Sequence, residues 1–546
     1  MEAPQEERSP SLDDCLKLLK GERDEQRLAG LLLVTKFCKS DDVVSLKKVY
    51  EAVGTHFLDR LLRTGSGSGD NRDVYLQLSL TVLAAFCRVP EIASSEEMVS
   101  RIPLILEIMS KRITTNVLED CYEILYLVST ACEAGVMTLT NSGGLRVIAP
   151  QMSDLPDGSH AMEVAIKILQ LLVSQLSGES MNIERFLELS LVVAAVSRQF
   201  AVLHNALKFE ALHLLSAVFS SEYSSVIIFC VDDAIVTLAL LHDPLRSMPD
   251  NNWADYMRTG VVAILQNRVA PCEKLHALIL AENMMSILGE NWLIGQVKLP
   301  NVDLPADRCL LLVLESSHVE ISVLLNDLAY KKYEAPKDNS TVEDILLKQR
   351  YLPIVFSLVE KIIKHISSVG ENEGTLTDEA VFQKVIKILN ETVGVVLEYL
   401  KDAKEHGIKK GNDLLASVRV TGSYLAETPV ACKEQVQDLL DYMLSVEGED
   451  ESSPFLSICF LLPLLCQITM NAEGCKLLAS SRGYIAVVEC LIKLIERCGE
   501  STTDEDGSIF LACDTIMNIL LKREQISLRP EISTFSRLLK ALADWA

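Results

Sequence analysis

The stretch Leu28–Asp42 reads LAGLLLVTKFCKSDD, and Leu28, Leu31, Leu32, Leu33, Val34, Phe37 and Cys38 would point to nearly every side of a helix. A helix apolar on all faces either crosses a membrane or lies inside protein. This one is bracketed by GERDEQR and KSDD, and its uncharged core falls well short of the ~20 apolar residues that a bilayer requires. The sequence therefore predicts a helix sandwiched between other helices.

The rest of the chain can supply those neighbours. At 546 residues it exceeds the ~250–300 at which one compact core stops growing, so it holds several domains or a repeat array. Aromatic residues are 5% against 49% hydrophobic, so the apolar content is mostly Leu, Val, Ile and Ala, which suits packed helices. With 51 basic and 76 acidic residues, approach to a phosphate backbone is opposed, and nucleic acid is excluded as a partner of the whole chain. Many cysteines, among them Cys38, Cys87, Cys230 and Cys466, fall inside apolar helical runs. Reduced core thiols in a reducing compartment are the economical reading.

Helix signals recur almost without a break. Ser9-Pro10 or Ser11 can cap a first helix that Gly21 stops, and VYLQLSLTVLAAFC from about Val74 is closed by Pro90. SSVIIFCV near Val226 is the nearest approach to a strand, and it runs into the helical period of DDAIVTLALL. The N-terminal MEAPQEERSP has no apolar signal region. The uncharged stretch Ser452–Ala472 is interrupted by Pro454, Pro463, Gln467 and Asn471 and reads as an internal helix, so no transmembrane segment is expected. The expected organisation is a polar tail over residues 1–10 and a continuous helical array over 11–546, with a candidate weak break near 333–380.

Two distant segments share one frame. EAGVMTLTNSGGLRVIAPQM aligned with AEGCKLLASSRGYIAVVECL pairs Gly135 with Gly474, Leu139 with Leu478, and Gly144 with Gly483. LKKVYEAVGTHFLDRLL fits the frame at Val49 and Gly54. Each unit reads as a short helix, a glycine corner and a longer helix, which is the grammar of an armadillo-like repeat. The fold class is therefore all-α, an armadillo-like α-solenoid built as a right-handed superhelix of stacked repeats. Gly54, Gly144 and Gly483 should sit at helix junctions. Leu31, Leu32, Phe37, Leu139, Leu478 and Ile516 should be buried between layers.

Catalytic and metal-binding patterns are missing from the sequence. GSGSG at Gly65–Gly69 lacks a preceding strand and the Lys-Ser/Thr of a phosphate loop. Cys459, Cys466, Cys475, Cys490 and Cys498 fit no paired zinc spacing, and His204 and His213 have no acidic partner at ligand spacing. No metal, cofactor or catalytic residue is therefore expected. Ser501, Thr502 and Thr503 each precede an acidic residue by three positions, which fits a site for an acid-directed kinase. The same spacing fits an ordinary helix cap, the more economical reading.

LLLVTKFCK, KVYEAVGTHFLDRLL, LAAFCRVPEIA and RIPLILEIM, followed in order by KFEALHLL, HVEISVLL, SVRVTGSYLAET and FLLPLLCQIT, resemble the neurochondrin family. The resemblance implies an armadillo-type fold, a cytoplasmic protein and no enzymatic activity. Animal members of that family are longer and have cysteines nearer the N-terminus than Cys15, so the chain resembles a non-animal member, such as one from plants. The expected function is a cytosolic scaffold that binds other proteins through their basic or amphipathic segments, with peripheral membrane association left open. Alternatives are an importin-like carrier of basic peptides, for which Trp253, Trp292 and Trp545 are too few, and a subunit of an enzyme complex. The closing helix STFSRLLKALADWA has one apolar stripe, and Trp545 is expected to pack on Ile516–Leu521.

Overall fold

A computed structural model describes residues 12–37, 43–66, 72–111, 113–176, 183–220, 252–297, 299, 303–334, 339–371, 379–497, 504–526 and 531–545. Every extended element among them is a helix; the one strand-like contact is an isolated bridge between Lys410 and Glu447. The chain divides into two compact units, Met1–Gly260 and Val261–Ala546.

In the first unit the longer helices are α1 (Leu12–Leu19), α2 (Asp24–Phe37), α3 (Val43–Val53), α4 (Thr55–Ser66), α5 (Arg72–Cys87), α6 (Ile102–Met109), α7 (Thr115–Ala131), α8 (Glu133–Asn141), α9 (Gly144–Gln151), α10 (His160–Gln175), α11 (Ile183–Val202) and α12 (Leu207–Phe219). Helix α13 (Trp253–Gln266) contains the division. The second unit holds α14 (Pro271–Leu288), α15 (Arg308–Tyr333), α16 (Asn339–Glu371), α17 (Glu379–Glu405), α18 (Asn412–Glu427), α19 (Lys433–Met443), α20 (Phe455–Thr469), α21 (Ala472–Ser480), α22 (Gly483–Arg497), α23 (Asp504–Leu521) and α24 (Ile532–Trp545).

Each unit is two layers of helices. In the first, α2, α5, α7, α10 and α12 pack in succession, and α6, α9 and α11 form the layer behind them. In the second, α14, α16, α18, α20 and α23 make one layer, and α15, α17 and α19, then α22 and α24, make the other. The fold is an armadillo-like stack of helical repeats.

The shared frame is visible in atoms. Leu139 and Leu478 are fully buried at the ends of the equivalent short helices α8 and α21. Gly144 and Gly483 each open the helix that follows, and Gly54 separates α3 from α4 with φ +69°. All three glycines sit at junctions, as the sequence indicates. Gly135 and Gly474 do something else: each lets a short helix lie against the carbonyl end of the helix before it. A Cβ on Gly135 would stand 2.5 Å from the Val128 oxygen, and one on Gly474 2.2 Å from the Ile468 oxygen. No side chain fits there.

Helix α2 is not oily all round in its setting. Leu31 and Val34 are fully buried, but Leu32 is 53% exposed. The helix packs against α1, α3 and α5, which cover some of its faces and leave Leu32 in water. Leu32→Asp is therefore expected to shift stability by no more than ~0.5 kcal/mol, whereas Leu31→Asp buries an unpaired charge and should abolish a cooperative melt; melting curves of the two variants check this directly. The side chain of Phe37 and residues Cys38 and Cys230 lie outside the described residues, as do the candidate caps at 9–11 and the strand-like run near 226. Ile516 is buried as expected.

The closing helix has its main contact with the helix two before it. Helix α24 packs on α22, where Phe535 stacks on Tyr484 at 6.4 Å and Arg537 pairs with Glu489 at 2.9 Å. In the segment 516–521, Ile516 and Ile519 are buried while Met517 and Leu521 are 55% and 73% exposed. The Trp545 side chain lies outside the described residues.

The uncharged stretch at 452–472 is an internal helix, α20, whose Leu461, Leu462 and Leu465 are fully buried. Among the described residues α15 alone is long and apolar enough to cross a membrane by length and composition, and half of its apolar window is buried in the unit. Glu315 and Asp327 on it pair with Lys384 and Lys348, as on a helix packed against its neighbours.

Candidate functional site

Helices α15 and α17 lie side by side and run in the same direction. Glu315 pairs with Lys384, His318 Nδ1 lies 3.0 Å from the Thr392 hydroxyl, and the Tyr333 ring stacks on His406 at 4.4 Å. Towards the C-terminal ends of the two helices lies a cleft of about 300 Å³. Leu325, Asn326 and Ala329 line it from α15, and Glu398, Asp402 and Glu405 from α17.

The two rims differ in chemistry. On α15, Val319, Val323 and Tyr330 are 58%, 56% and 54% exposed, and with Asn326 they fall on one stripe by helical spacing. On α17, Glu398, Asp402 and Glu405 recur at spacings of four and three and are all exposed. None of the three carboxylates forms an ion pair among the described residues. Lys401 is the basic side chain in the lining. The acidic row thus shares the cleft with Leu325, Asn326 and Ala329, and the exposed apolar stripe of α15 runs through Asn326 at its edge.

Below the cleft lies a buried polar knot that the sequence reading missed. Asp413, in the first turn of α18, is fully enclosed as a side chain. Its Oδ1 accepts from Lys332 Nζ at 2.7 Å and from Gln349 Nε2 at 2.8 Å, and its Oδ2 accepts from the hydroxyl of Tyr399, itself a lining residue. Burial opposes the charge on Asp413, but the Lys332 ammonium and the three donated hydrogen bonds outweigh it and hold the carboxyl below its ordinary range. Burial pushes the Tyr333 hydroxyl up to about 12, with Asp413 and Asp402 adding to the effect. The knot joins α15, α16, α17 and α18 and fixes the floor of the cleft. It holds an ion pair and neutral phenols at physiological pH, an arrangement suited to support.

The residues singled out in the sequence are not brought together at this cleft. Ser501, Thr502 and Thr503 lie outside the described residues, as does Cys498. Cys87, Cys466, Cys475 and Cys490 are buried, as core thiols should be. Cys459 is half-buried, with its sulfur 3.6 Å from that of Cys490. His204 is exposed. Gly65 and Ser66 end α4 rather than starting a loop, and residues 67–71 lie outside the described residues.

Neurochondrin from Gallus gallus is 23% identical over 567 aligned residues, which cover 97% of this chain and 73% of that one. Neurochondrin from Xenopus laevis is 24% identical over 488 residues, covering 87% and 60%. The chain thus spans less than two thirds of the frog relative. A chain from a structure of the phosphorylation switch that controls the interaction between cadherin and β-catenin is 12% identical with a TM-score of 0.49, over 93% of this chain and 94% of that one. The sequence profile of the family described as Neurochondrin matches residues 6–545. With nearly its whole length inside that match, the chain belongs to the neurochondrin family.

Proposed function

We propose that this protein is a non-enzymatic cytosolic scaffold that binds other proteins, and that the cleft between α15 and α17 takes a basic amphipathic helix from a partner. Family membership and the helical-repeat fold support the general role of a protein-interaction scaffold. The observation that carries the finer reading is a cleft lined by the carboxylates of Glu398, Asp402 and Glu405 beside a helix that exposes Val319, Val323 and Tyr330 on the stripe of its lining residue Asn326. A helix laid between them would bury its Leu-type stripe on α15 and set Lys or Arg against α17. The overall charge of -25 would speed the encounter with such a segment.

The importin-like alternative is weaker. It needs Trp side chains presented along a groove, and Trp253 and Trp292 are both buried.

A fluorescein-labelled synthetic helix of Leu and Lys tests the reading by anisotropy titration. Reversal of the acidic row (Glu398→Lys, Asp402→Lys, Glu405→Lys) should weaken binding at least ~tenfold and flatten its salt dependence. Reversal of the exposed Glu96 and Glu97 in the first unit should change it little. Equal losses in both variants would show non-specific attraction to an acidic protein and would sink the proposal.

A further inference from the structure

The α20–α22 seam holds two cysteine sulfurs in contact. Cys459 Sγ on α20 lies 3.6 Å from Cys490 Sγ on α22, so closing to the ~2.05 Å of a disulfide needs an approach of about 1.5 Å. Core thiols scattered singly behave as small hydrophobes; two thiols in contact on separate helices have a further chemistry. Cys490 is 2% exposed and Cys459 half-buried, so oxidants reach the pair from the Cys459 side.

A cleft of about 500 Å³ opens on the same seam, lined by Phe455 and Leu456 from α20 and Lys493 and Arg497 from α22. Phe455 stands one turn before Cys459, and Lys493 one turn after Cys490. Arg497 lies 4.4 Å over the Phe455 ring, and Lys493 donates to the Ser453 hydroxyl at 2.7 Å. Both cations favour thiolate at Cys490, while its hydrogen bond with Cys459 and its burial push that thiol up. Cys490 therefore keeps its proton in the reduced pair, and either sulfur can donate to the other.

We propose that Cys459 and Cys490 are a hydroperoxide-sensitive pair that closes reversibly into a disulfide joining the two helix layers. The Cys459 thiolate attacks the terminal oxygen of a hydroperoxide; the S–O bond forms, the O–O bond breaks, and the leaving oxygen takes up a proton as alcohol or water. The Cys490 sulfur then attacks the Cys459 sulfur. The S–S bond forms, the S–O bond breaks, and the hydroxide leaves as water with the Cys490 proton. Two electrons pass from the two thiols to the peroxide.

The test uses the full chain, titrated with hydrogen peroxide, quenched with N-ethylmaleimide and digested for mass spectrometry. The expected product is a Cys459–Cys490 cross-linked peptide, formed at least ~tenfold faster than oxidation of the fully buried Cys121 and Cys475 and reversed by dithiothreitol. In Cys490→Ser, Cys459 should stop at sulfenic acid and be trapped by dimedone. Phenylarsine oxide, which bridges adjacent thiols, should protect both cysteines of the unmutated chain from alkylation, an arm that requires no variant to fold. Absence of the cross-linked peptide under peroxide that has oxidised the exposed Cys272 overturns the proposal. So does continued alkylation of both thiols after phenylarsine oxide.

Discussion

Replacing Asp413 with Ala is expected to destabilise the second unit by ~3–5 kcal/mol, because it strips the counter-charge from Lys332 and the acceptor from Tyr399. Loss of either partner of a buried pair costs more than the intact pair contributes. Pairing Asp413→Leu with Lys332→Met should therefore recover much of the loss. The pH dependence follows from the same contacts. The Asp413 carboxyl is held below its ordinary range in the folded chain, so the folded state binds its proton less readily than the unfolded one. The stabilisation is then fully present above the unfolded value of ~3.9 and fades as pH falls through the lower folded value. Asp413→Asn should lose stability at neutral pH and show a flatter acid limb than the unmutated chain. Urea melts at pH 7 and at several acidic pH values check both points; an Asp413→Ala midpoint at pH 7 equal to the parent's would show that the knot carries no stability.

The second large effect is expected at Gly135 and Gly474. In each, a methyl group would meet a backbone carbonyl at 2.5 and 2.2 Å respectively, and that oxygen belongs to a packed helix end that cannot swing away as a side chain could. Gly135→Ala and Gly474→Ala should each cost ~1–3 kcal/mol or more through forced separation of the helices. Gly394 on α17 is the control. Nothing lies within 4 Å of the position its Cβ would take, so Gly394→Ala should be neutral or stabilise by ~0.5–1 kcal/mol. Thermal melts of the three variants separate the contributions. Similar small effects at all three positions would mean that the shared frame is a coincidence of sequence.

That frame was legible because close packing leaves a local mark. Leu139 with Leu478, and Gly135 with Gly474, occupy equivalent places, and the residue types the geometry demands are the ones the sequence repeats. Leu32 was misread for a related reason: apolar character says what can be buried and not which neighbour is there to bury it. Helix α2 has neighbours on some sides only, so one Leu of its run remains in water. The closing helix shows the same limit, since the stripe through Phe535 and Leu538 does not by itself name α22 as its main neighbour.

The cleft was not legible at all. Val319 and Val323 belong to one helix, and Glu398, Asp402 and Glu405 to another separated from it by the whole of α16. Only the parallel pairing of α15 with α17 sets the carboxylates in one groove with Leu325, Asn326 and Ala329 of the helix that carries the valines. Asp413 was hidden differently. An acidic residue in a first helical turn is ordinarily a solvated complement to the helix dipole, and nothing nearby in sequence announces that Lys332, Gln349 and Tyr399 enclose it.

Hydrogen–deuterium exchange of the full chain, with and without a saturating synthetic amphipathic helix of Leu and Lys, tests the binding account most directly. Binding in the cleft should slow exchange in peptides covering residues 319–330 and 395–405, and the Glu398→Lys, Asp402→Lys, Glu405→Lys variant should lose that slowing. Slowing confined to other segments, or none in either of these two under saturation, would contradict it.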